Sequence, residues 1–341
     1  MSERIDILKK IEKVALVGRG GAAYPTALKW RAVKNALKKE NDAYIIINGS
    51  EGEPGVKKDA YILKNHGAEV VNGINFAFKF IGEKKVKKIY FFLKSDYYQN
   101  YLESVKKTLS LKKYLPLSKK IEFFIKPEDA GYIGGEESVI LNVIEDGELT
   151  PRLRPPYPTE KGLFNKPTLI HNIETLYNIS LVSKNEYLAH RFYTISGAVK
   201  HHGVFDLPAN LSIEEILLKT KNYPDFKFFV QNGGEASGEV LNSGQLNAPA
   251  EGSGSIIVYN EDKTDQKKLL RFWLNFFAEE SCGNCTACRE GTYRLRELID
   301  SPKFNQELFN DLIENLELSS LCVLGSSLAI PVKSYFKNIK I

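Results

Sequence analysis

Short apolar runs alternate with amphipathic stretches through the first half of the chain. Tyr44-Ile-Ile-Ile-Asn48, Lys88-Ile-Tyr-Phe-Phe-Leu93 and Ile121-Glu-Phe-Phe-Ile125 are β-branched or aromatic and almost free of charge inside. Such runs predict strands, the first of them buried. Between them, helical periodicity predicts helices over about 1–13, 68–81 and 98–109, and from about 138 and 172 onward. Val14–Val17 is compatible with a strand or a turn, and Pro25 suits the first turn of a further helix. Strands alternating with helices argue for an α/β layer fold with a largely parallel sheet. The pattern changes near residue 191. Phe192-Tyr-Thr-Ile-Ser-Gly, Gly203-Val-Phe-Asp-Leu-Pro, Ser212-Ile-Glu-Glu-Ile-Leu-Leu and Lys227-Phe-Phe-Val predict a hairpin, a helix and a strand. That set suits a small α+β module over 191–261. From Asp262 on, the pattern is helical. The expected division is therefore 1–190, 191–261 and 262–341, with no internal repeat.

Composition narrows the function classes. The chain has 341 residues, 43% of them hydrophobic and 26% charged, which is ordinary for a globular protein with more than one core. A net charge of +5 is spread thinly, and Lys84-Lys85-Val-Lys87-Lys88 suits a solvated rim. No basic–aromatic platform points to nucleic acid, and no apolar run approaches the roughly 18 residues of a membrane helix. The opening Met-Ser-Glu-Arg-Ile-Asp does not have the form of a signal peptide.

All four cysteines lie in the last fifth of the chain: Cys282, Cys285, Cys288 and Cys322. A C-x2-C-x2-C run presents three thiolates from one turn, and a [4Fe–4S] cluster takes four. A four-cysteine zinc site would more usually use two separated C-x2-C pairs. Disulfides would leave one of the three clustered cysteines stranded. Arg289 directly follows the third cysteine and could offset the negative charge of a cluster, or be an ordinary solvated helix arginine. Thiols kept for a cluster imply a reducing compartment, hence the cytoplasm.

Gly18-x-Gly20-x-x-Ala23 fits a loose dinucleotide fingerprint between a strand and a helix, which alone is weak. No acid closes the next strand, which ends in Asn48, so an ordinary dinucleotide site is disfavoured. Backbone amides of such a loop still suit a phosphate, with Lys29 as countercharge.

Several segments together resemble one family. They are Gly-Arg-Gly-Gly-Ala-Ala-Tyr-Pro-Thr-Ala-Leu-Lys-Trp (18–30), Asn-Gly-Ser-Glu-Gly-Glu-Pro-Gly (48–55), Gly-Tyr-Ile-Gly-Gly-Glu-Glu (131–137), Pro-Arg-Leu-Arg-Pro-Pro-Tyr-Pro (151–158), Ile-His-Asn-Ile-Glu-Thr (170–175), Ile-Ser-Gly-Ala-Val-Lys (195–200) and Glu-Ser-Cys-Gly-Asn-Cys-Thr-Ala-Cys-Arg-Glu-Gly (280–291). In that order they resemble the FMN- and NADH-binding flavoprotein subunit of respiratory complex I. The same family includes diaphorase subunits of NAD-linked hydrogenases and formate dehydrogenases.

The resemblance implies an α/β Rossmann-like flavin domain, a small ubiquitin-like β-grasp domain and a C-terminal helical bundle carrying an iron–sulfur cluster. It implies FMN contacts at Gly18, Gly20, Gly21 and Lys29, at Asn48, Glu51 and Glu53, at Tyr132, Gly135, Glu136 and Glu137, and at Asn172 and Thr175. Tyr24 falls where an aromatic stacks on the nicotinamide side, and Tyr157 where one meets the adenine. Glu53 and Glu137 are positioned to orient NADH. Without the motif, the two tyrosines would be ordinary packing and the glutamates a solvated loop. Cys282, Cys285, Cys288 and Cys322 would hold [4Fe–4S].

The implied activity is an NADH dehydrogenase subunit that passes a hydride from NADH to FMN, then single electrons through the cluster to a small iron–sulfur partner subunit. That subunit would sit within a larger complex I, hydrogenase or dehydrogenase assembly, meeting the inner face of the cell membrane only through partners. The alternative is an FMN/[4Fe–4S] electron-transfer module that has lost NADH binding. Departures from the family motif motivate it. Ala23 replaces a glycine, Tyr24 a phenylalanine, Ala32 an aromatic, Ser50 an acid, Gly134 a cysteine and His171 an asparagine. His171 is expected either to fill space or to tune the flavin by protonating.

Overall fold

The structure is a computed structural model that describes residues 2–339. The chain divides into two compact units. The first holds residues up to Gly52 and Lys57–His190, and the second holds Glu53–Val56 with the chain from Arg191 on.

The first unit is built on strands β1 (Ala43–Gly49), β2 (Val86–Leu93), β3 (Ile121–Ile125) and β4 (Thr168–Asn172). All neighbours pair in parallel, in the order β3-β2-β1-β4. Ile45, Ile46 and Ile47 are all fully buried, as are Ile89, Phe91, Phe92 and Leu93. Unbroken apolar strands are what a sheet covered on both faces requires. Phe91 stacks on Phe123 and Phe92 on Phe124 across the β2–β3 pair. The chain runs outward from β1 to β2 and β3, then returns so that β4 lies on the other side of β1. The crevice at the carboxyl ends of β1 and β4 is thus a topological switch point, where open α/β sheets bind ligands.

The helix Lys58–Ile81 begins about ten residues before the position that periodicity suggests, and its backbone departs from helical angles at His66. Lys58 and Asp59 are charged yet buried, so the apolar pattern misses the first turns. The expected helix over 98–109 is two short ones, Ser95–Asn100 and Glu103–Leu109. Against the first helix lies Ile173–Lys184. At Gly73 the two backbones meet: a Cβ there would stand 1.9 Å from the Leu176 carbonyl oxygen. Only glycine allows that approach.

The second unit contains strands β5 (His190–Gly197), β6 (Gly203–Pro208), β7 (Phe228–Asn232), β8 (Glu239–Asn242) and β9 (Ser255–Asn260). Their order is β6-β5-β9-β7-β8, with β5–β9 parallel and β7 antiparallel to both β8 and β9. The helix Ile213–Lys219 packs Ile213, Ile216 and Leu217 into the core of that sheet. Strand β8 has only Val240 and Leu241 as an apolar signal, whereas β9 carries the run Ile256-Ile-Val-Tyr259, a strand signal that the division above did not use. The helices Gln266–Glu279, Thr286–Asp300, Gln306–Ser319, Val323–Ser327 and Ala329–Asn338 follow. They belong to the same compact unit as the sheet. Ser334 Oγ accepts from the Val240 amide at 2.8 Å, Asn338 Nδ2 donates to the Val240 carbonyl at 2.7 Å, and buried Trp273 donates to the Glu235 carbonyl at 2.9 Å.

Candidate functional site

Asn48 and Asn172 are register partners at the carboxyl ends of β1 and β4. Asn48 Nδ2 donates to the Gly135 carbonyl at 3.0 Å, while its Oδ1 accepts from the Ser50 amide at 3.1 Å and the Ser50 hydroxyl at 2.7 Å. A Cβ on Gly135 would stand 2.9 Å from Ser50 Oγ, and one on Gly52 would stand 3.2 Å from the Tyr132 carbonyl oxygen. The 48–52 loop and the 131–135 segment are therefore packed backbone to backbone. Asn172 caps the helix Ile173–Lys184, its Oδ1 accepting from the Glu174 amide at 2.9 Å.

The glycine loop joins the same place. The Arg19 amide donates to Thr175 Oγ1 at 2.9 Å, and a Cβ on Gly20 would touch the Asn172 Cβ at 3.4 Å. The Gly18 amide closes the loop on the Tyr24 carbonyl at 2.8 Å. Gly21 has φ +115°, and a Cβ on it would meet nothing within 4 Å. Space is therefore open at Gly21, in a loop bonded to the first turn of the helix Ile173–Lys184, and loop amides beside a helix N-terminus suit a phosphate. Ala23, where a glycine is usual, takes φ +48° in the left-handed region.

Lys29 is held by Glu137 and by the Ile170 carbonyl, the latter at 3.1 Å. Glu136 caps the helix Glu137–Glu145, accepting from the Ser138 and Val139 amides at 2.8 and 3.0 Å, and its other oxygen pairs with Arg154. Tyr24 and Tyr157 are both exposed. Trp30 Nε1 donates to His171 Nε2 at 2.8 Å. Burial, and then the nearby Lys29 charge, hold the His171 imidazole well below its ordinary pKa. His171 is therefore a neutral acceptor that fixes Trp30. Glu53 stands apart. Its carboxylate accepts from the Ala236 and Ser237 amides at 2.8 and 3.0 Å and from the Ser237 hydroxyl at 2.8 Å.

Beneath the glycine and 48–52 loops lie residues that the sequence pattern did not single out. Lys58, Asp59 and Glu174 are buried, and Tyr97 donates to Glu51. A Lys-Asp pair opening a helix resembles a solvated helix start, so nothing in the sequence flags it.

In the second unit Cys282 and Cys285 lie on the turn before the helix Thr286–Asp300, Cys285 at its N-cap and Cys288 on its first turn. Cys322 is the N-cap of Val323–Ser327. Gly325 brings the two segments together, since a Cβ on it would stand 3.1 Å from the Cys288 Cβ. All four cysteines are free thiols. Burial, then the neighbouring Cys285, Cys322 and Cys282, push the Cys288 thiol up to about 11, against a hydrogen bond with Ser281. Arg289 folds back over the turn and donates to the Gly283 carbonyl at 2.6 Å. Among the described residues no three His, Cys, Asp or Glu side chains close around a single metal ion. Four thiols gathered from two segments are the donor set that an iron–sulfur cube takes.

Residues 11–181 match the model of the Nuo51 FMN-binding domain. This chain belongs to the Nuo51 FMN-binding family. Residues 268–340 match a second model, the iron–sulfur binding region of NADH-ubiquinone oxidoreductase F. Among Nuo51 relatives, the NADH-quinone oxidoreductase F subunit of Aquifex aeolicus is 28% identical, covering 94% of this chain and 81% of its own. Its counterpart of the same name in Buchnera aphidicola subsp. Baizongia pistaciae is 30% identical, with 98% and 84% covered. The NAD-reducing hydrogenase HoxS alpha subunit of Cupriavidus necator is 28% identical over 96% of this chain. A crystal structure of an NAD+-reducing [NiFe]-hydrogenase superposes with a TM-score of 0.87 at 27% identity over 97% of this chain. The chain spans 58% of the HoxS subunit and 60% of that hydrogenase chain. The mixed α/β fold with a parallel sheet and C-terminal helices is thus a Nuo51-family fold.

Proposed function

We propose that this protein is the NADH dehydrogenase subunit of a larger electron-transfer assembly, carrying hydride from NADH to FMN and single electrons on through a [4Fe–4S] cluster. The observation that carries it is the meeting of the 18–21, 48–52, 131–135 and 172–175 segments at the β1–β4 switch point of a chain that also gathers four thiols. FMN, when bound, supplies the conversion between two-electron and one-electron chemistry.

The chain's own residues supply the rest. Gly18, Gly20 and Gly21 leave room for a phosphate against the loop amides, and Asn48, Gly135 and Asn172 fix the walls. Tyr132, Glu136 and Thr175 hold those segments in place, and the Lys29–Glu137 pair sets charge at the rim. Tyr24 and Tyr157 offer exposed faces on which a nicotinamide and an adenine can stack. Glu53, anchored on Ala236 and Ser237, and Glu137 are assigned to orienting the donor. Cys282, Cys285, Cys288 and Cys322 hold the cluster, and Arg289 offsets its charge.

In the same reading, residues 1–190 form a Rossmann-like flavin domain, 191–261 a β-grasp domain and 262–341 a helical cluster domain. One cluster gives electrons no further route within the chain, so a small iron–sulfur subunit is the expected acceptor. No helix among the described residues is long and apolar enough to cross a membrane, so membrane contact would come through partners, from the cytoplasmic side.

Anaerobic titration of the reconstituted protein with NADH tests this reading. The flavin absorbance is expected to bleach, followed by the cluster's. Flavin that is reduced by dithionite but not by excess NADH would favour the module that exchanges electrons with proteins alone, as Ala32 in place of an aromatic suggests.

A further inference from the structure

Glu51, Lys58, Asp59, Tyr97 and Glu174 form a network of unequal charge in the first unit. The Lys58 ammonium stands 3.0 Å from Asp59 Oδ1, 3.0 Å from Glu174 Oε2 and 3.5 Å from Asn172 Oδ1. Asn172 Nδ2 donates to Asp59 Oδ2 at 2.6 Å. The Asp59 amide donates to Glu51 Oε1 at 3.0 Å, and the Tyr97 hydroxyl donates to Glu51 Oε2. Lys58, Asp59 and Glu174 are at most 2% exposed. Glu51 is partly exposed as a residue, but its carboxylate turns inward onto these groups. The segment that carries Tyr97 also brings Asp96, and Lys94 with its ammonium 5.5 Å from the Tyr97 ring.

The charge does not balance. Three carboxylates share one buried ammonium, and that ammonium is in contact with Asp59 and Glu174, not with Glu51. Fully ionised, the network would carry two uncompensated negative charges in a medium that solvates them poorly. One carboxyl must keep a proton, and Glu51 is the one bonded only to neutral donors.

The network is also well placed. Glu51 continues the Asn48–Ser50 turn, and Asn172 joins the network to the glycine loop at Gly20. We propose that Glu51 is a proton-holding residue whose ionisation follows the charge of the flavin pocket: it takes one proton from solvent when negative charge arrives there and returns it when that charge leaves. This rests on the flavin reading above.

The balance is simple. Hydride transfer brings two electrons and one proton into the pocket. The added negative charge raises the proton affinity of Glu51, whose carboxylate forms one O–H bond with a solvent proton. The electrons leave one at a time through the cluster to the oxidised iron–sulfur partner, which is the oxidant, and their departure reverses the step: the Glu51 O–H bond breaks and its proton returns to solvent. Glu51 acts through the field and is a positioning residue. Burial first, then Asp59, raise its pKa to about 7, so the exchange falls in the neutral range. Burial, and then Glu174, raise Asp59 as well, against its contacts with Lys58 and Asn172.

Infrared difference spectroscopy of the full-length protein tests the proposal. On raising the pH through about 7, the wild type is expected to lose one un-ionised carboxyl band. Glu51→Gln is expected to lack that band. Tyr97→Phe is expected to move it to higher pH, because the hydroxyl that favours the carboxylate is gone. At pH 8, reduction of the flavin with dithionite is expected to restore the band in wild type and not in Glu51→Gln. A titrating band that survives in Glu51→Gln, or one indifferent to reduction, overturns the proposal.

Stability gives an independent readout. The unfolded chain releases this proton near 4.5 and the folded protein near 7, so ionisation of Glu51 costs folding stability as the pH rises through that window. Glu51→Gln is therefore expected to raise the urea midpoint at pH 8 and leave it unchanged at pH 4. An unchanged midpoint at pH 8 counts against the buried charge. Flavin content is read separately by absorbance. Protein that binds no flavin but keeps the titrating band would overturn the dehydrogenase reading and the redox linkage, and leave Glu51 as the proton holder.

Discussion

Ala23 shows how one methyl group changes the glycine loop. Its φ of +48° lies in the left-handed region, which costs an alanine about 1–2 kcal/mol. Glycine adopts it freely but loses about 0.5–1 kcal/mol more chain entropy on folding. The difference leaves Ala23→Gly more stable by about 0.5–1 kcal/mol. Trp30 reports the first unit alone in a Trp273→Phe background, so urea unfolding followed by its fluorescence measures the change. An unchanged or lower midpoint would mean that the turn does not hold Ala23 in that conformation. His171 makes a related point. Alone in the sequence it is compatible with a titrating group near the flavin. Its Trp30 donor and its burial instead make it a neutral acceptor.

Elements meet where the sequence allows close approach. Gly73 lets the helix Lys58–Ile81 lie directly on Ile173–Lys184, the helix whose first turn carries Asn172 and Thr175. A methyl group 1.9 Å from the Leu176 carbonyl oxygen cannot be accommodated without moving one helix. Gly73→Ala is expected to destabilise the first unit by about 2–3 kcal/mol, the upper range for overpacking. It is also expected to weaken flavin retention, because the shifted helix carries the cap. Equal urea midpoints for variant and wild type would show that the helices separate at little cost. The apolar strands and the amphipathic helix faces were legible as elements. The first turns of Lys58–Ile81 were not, because a buried Lys-Asp pair has the same appearance in sequence as a solvated one.

Across the whole molecule, the flavin segments and the cysteines fall in different compact units. Loss of one cofactor is therefore expected to spare the other. Cys322→Ala removes the one thiol that comes from outside the 282–288 turn, so the four-iron cluster is expected to be lost or degraded to a three-iron form. Flavin content is expected to stay at the wild-type level. Iron, labile sulfide and flavin assays on one preparation decide it, and a variant that keeps full iron and sulfide would remove Cys322 from the ligand set. Glu53 illustrates the opposite lesson about distance. It is two residues from Glu51 in sequence, yet its carboxylate is bound to amides 183 and 184 positions away, and it is counted with the second unit.

By itself the sequence determined strands β1, β2, β3, β5, β6 and β7 and most helices, since buried strands show as short apolar runs and one-sided burial demands helical periodicity; β4, β8 and β9 came only with the structure. It also determined the cysteine set, because four thiols at that spacing leave few other uses, and it marked the glycine, acidic and asparagine loops through their resemblance to one family. The tertiary structure alone decided which loops share the crevice at β1 and β4, which requires strand order rather than strand identity. It decided that Lys29 pairs with Glu137, that Glu53 faces Ser237, and that Asp59 and Glu174 meet Lys58 while Glu51 bonds the Asp59 amide. Charge and hydrogen-bond partners are set by which distant segments the fold brings within a few ångströms, and a linear pattern carries no record of that.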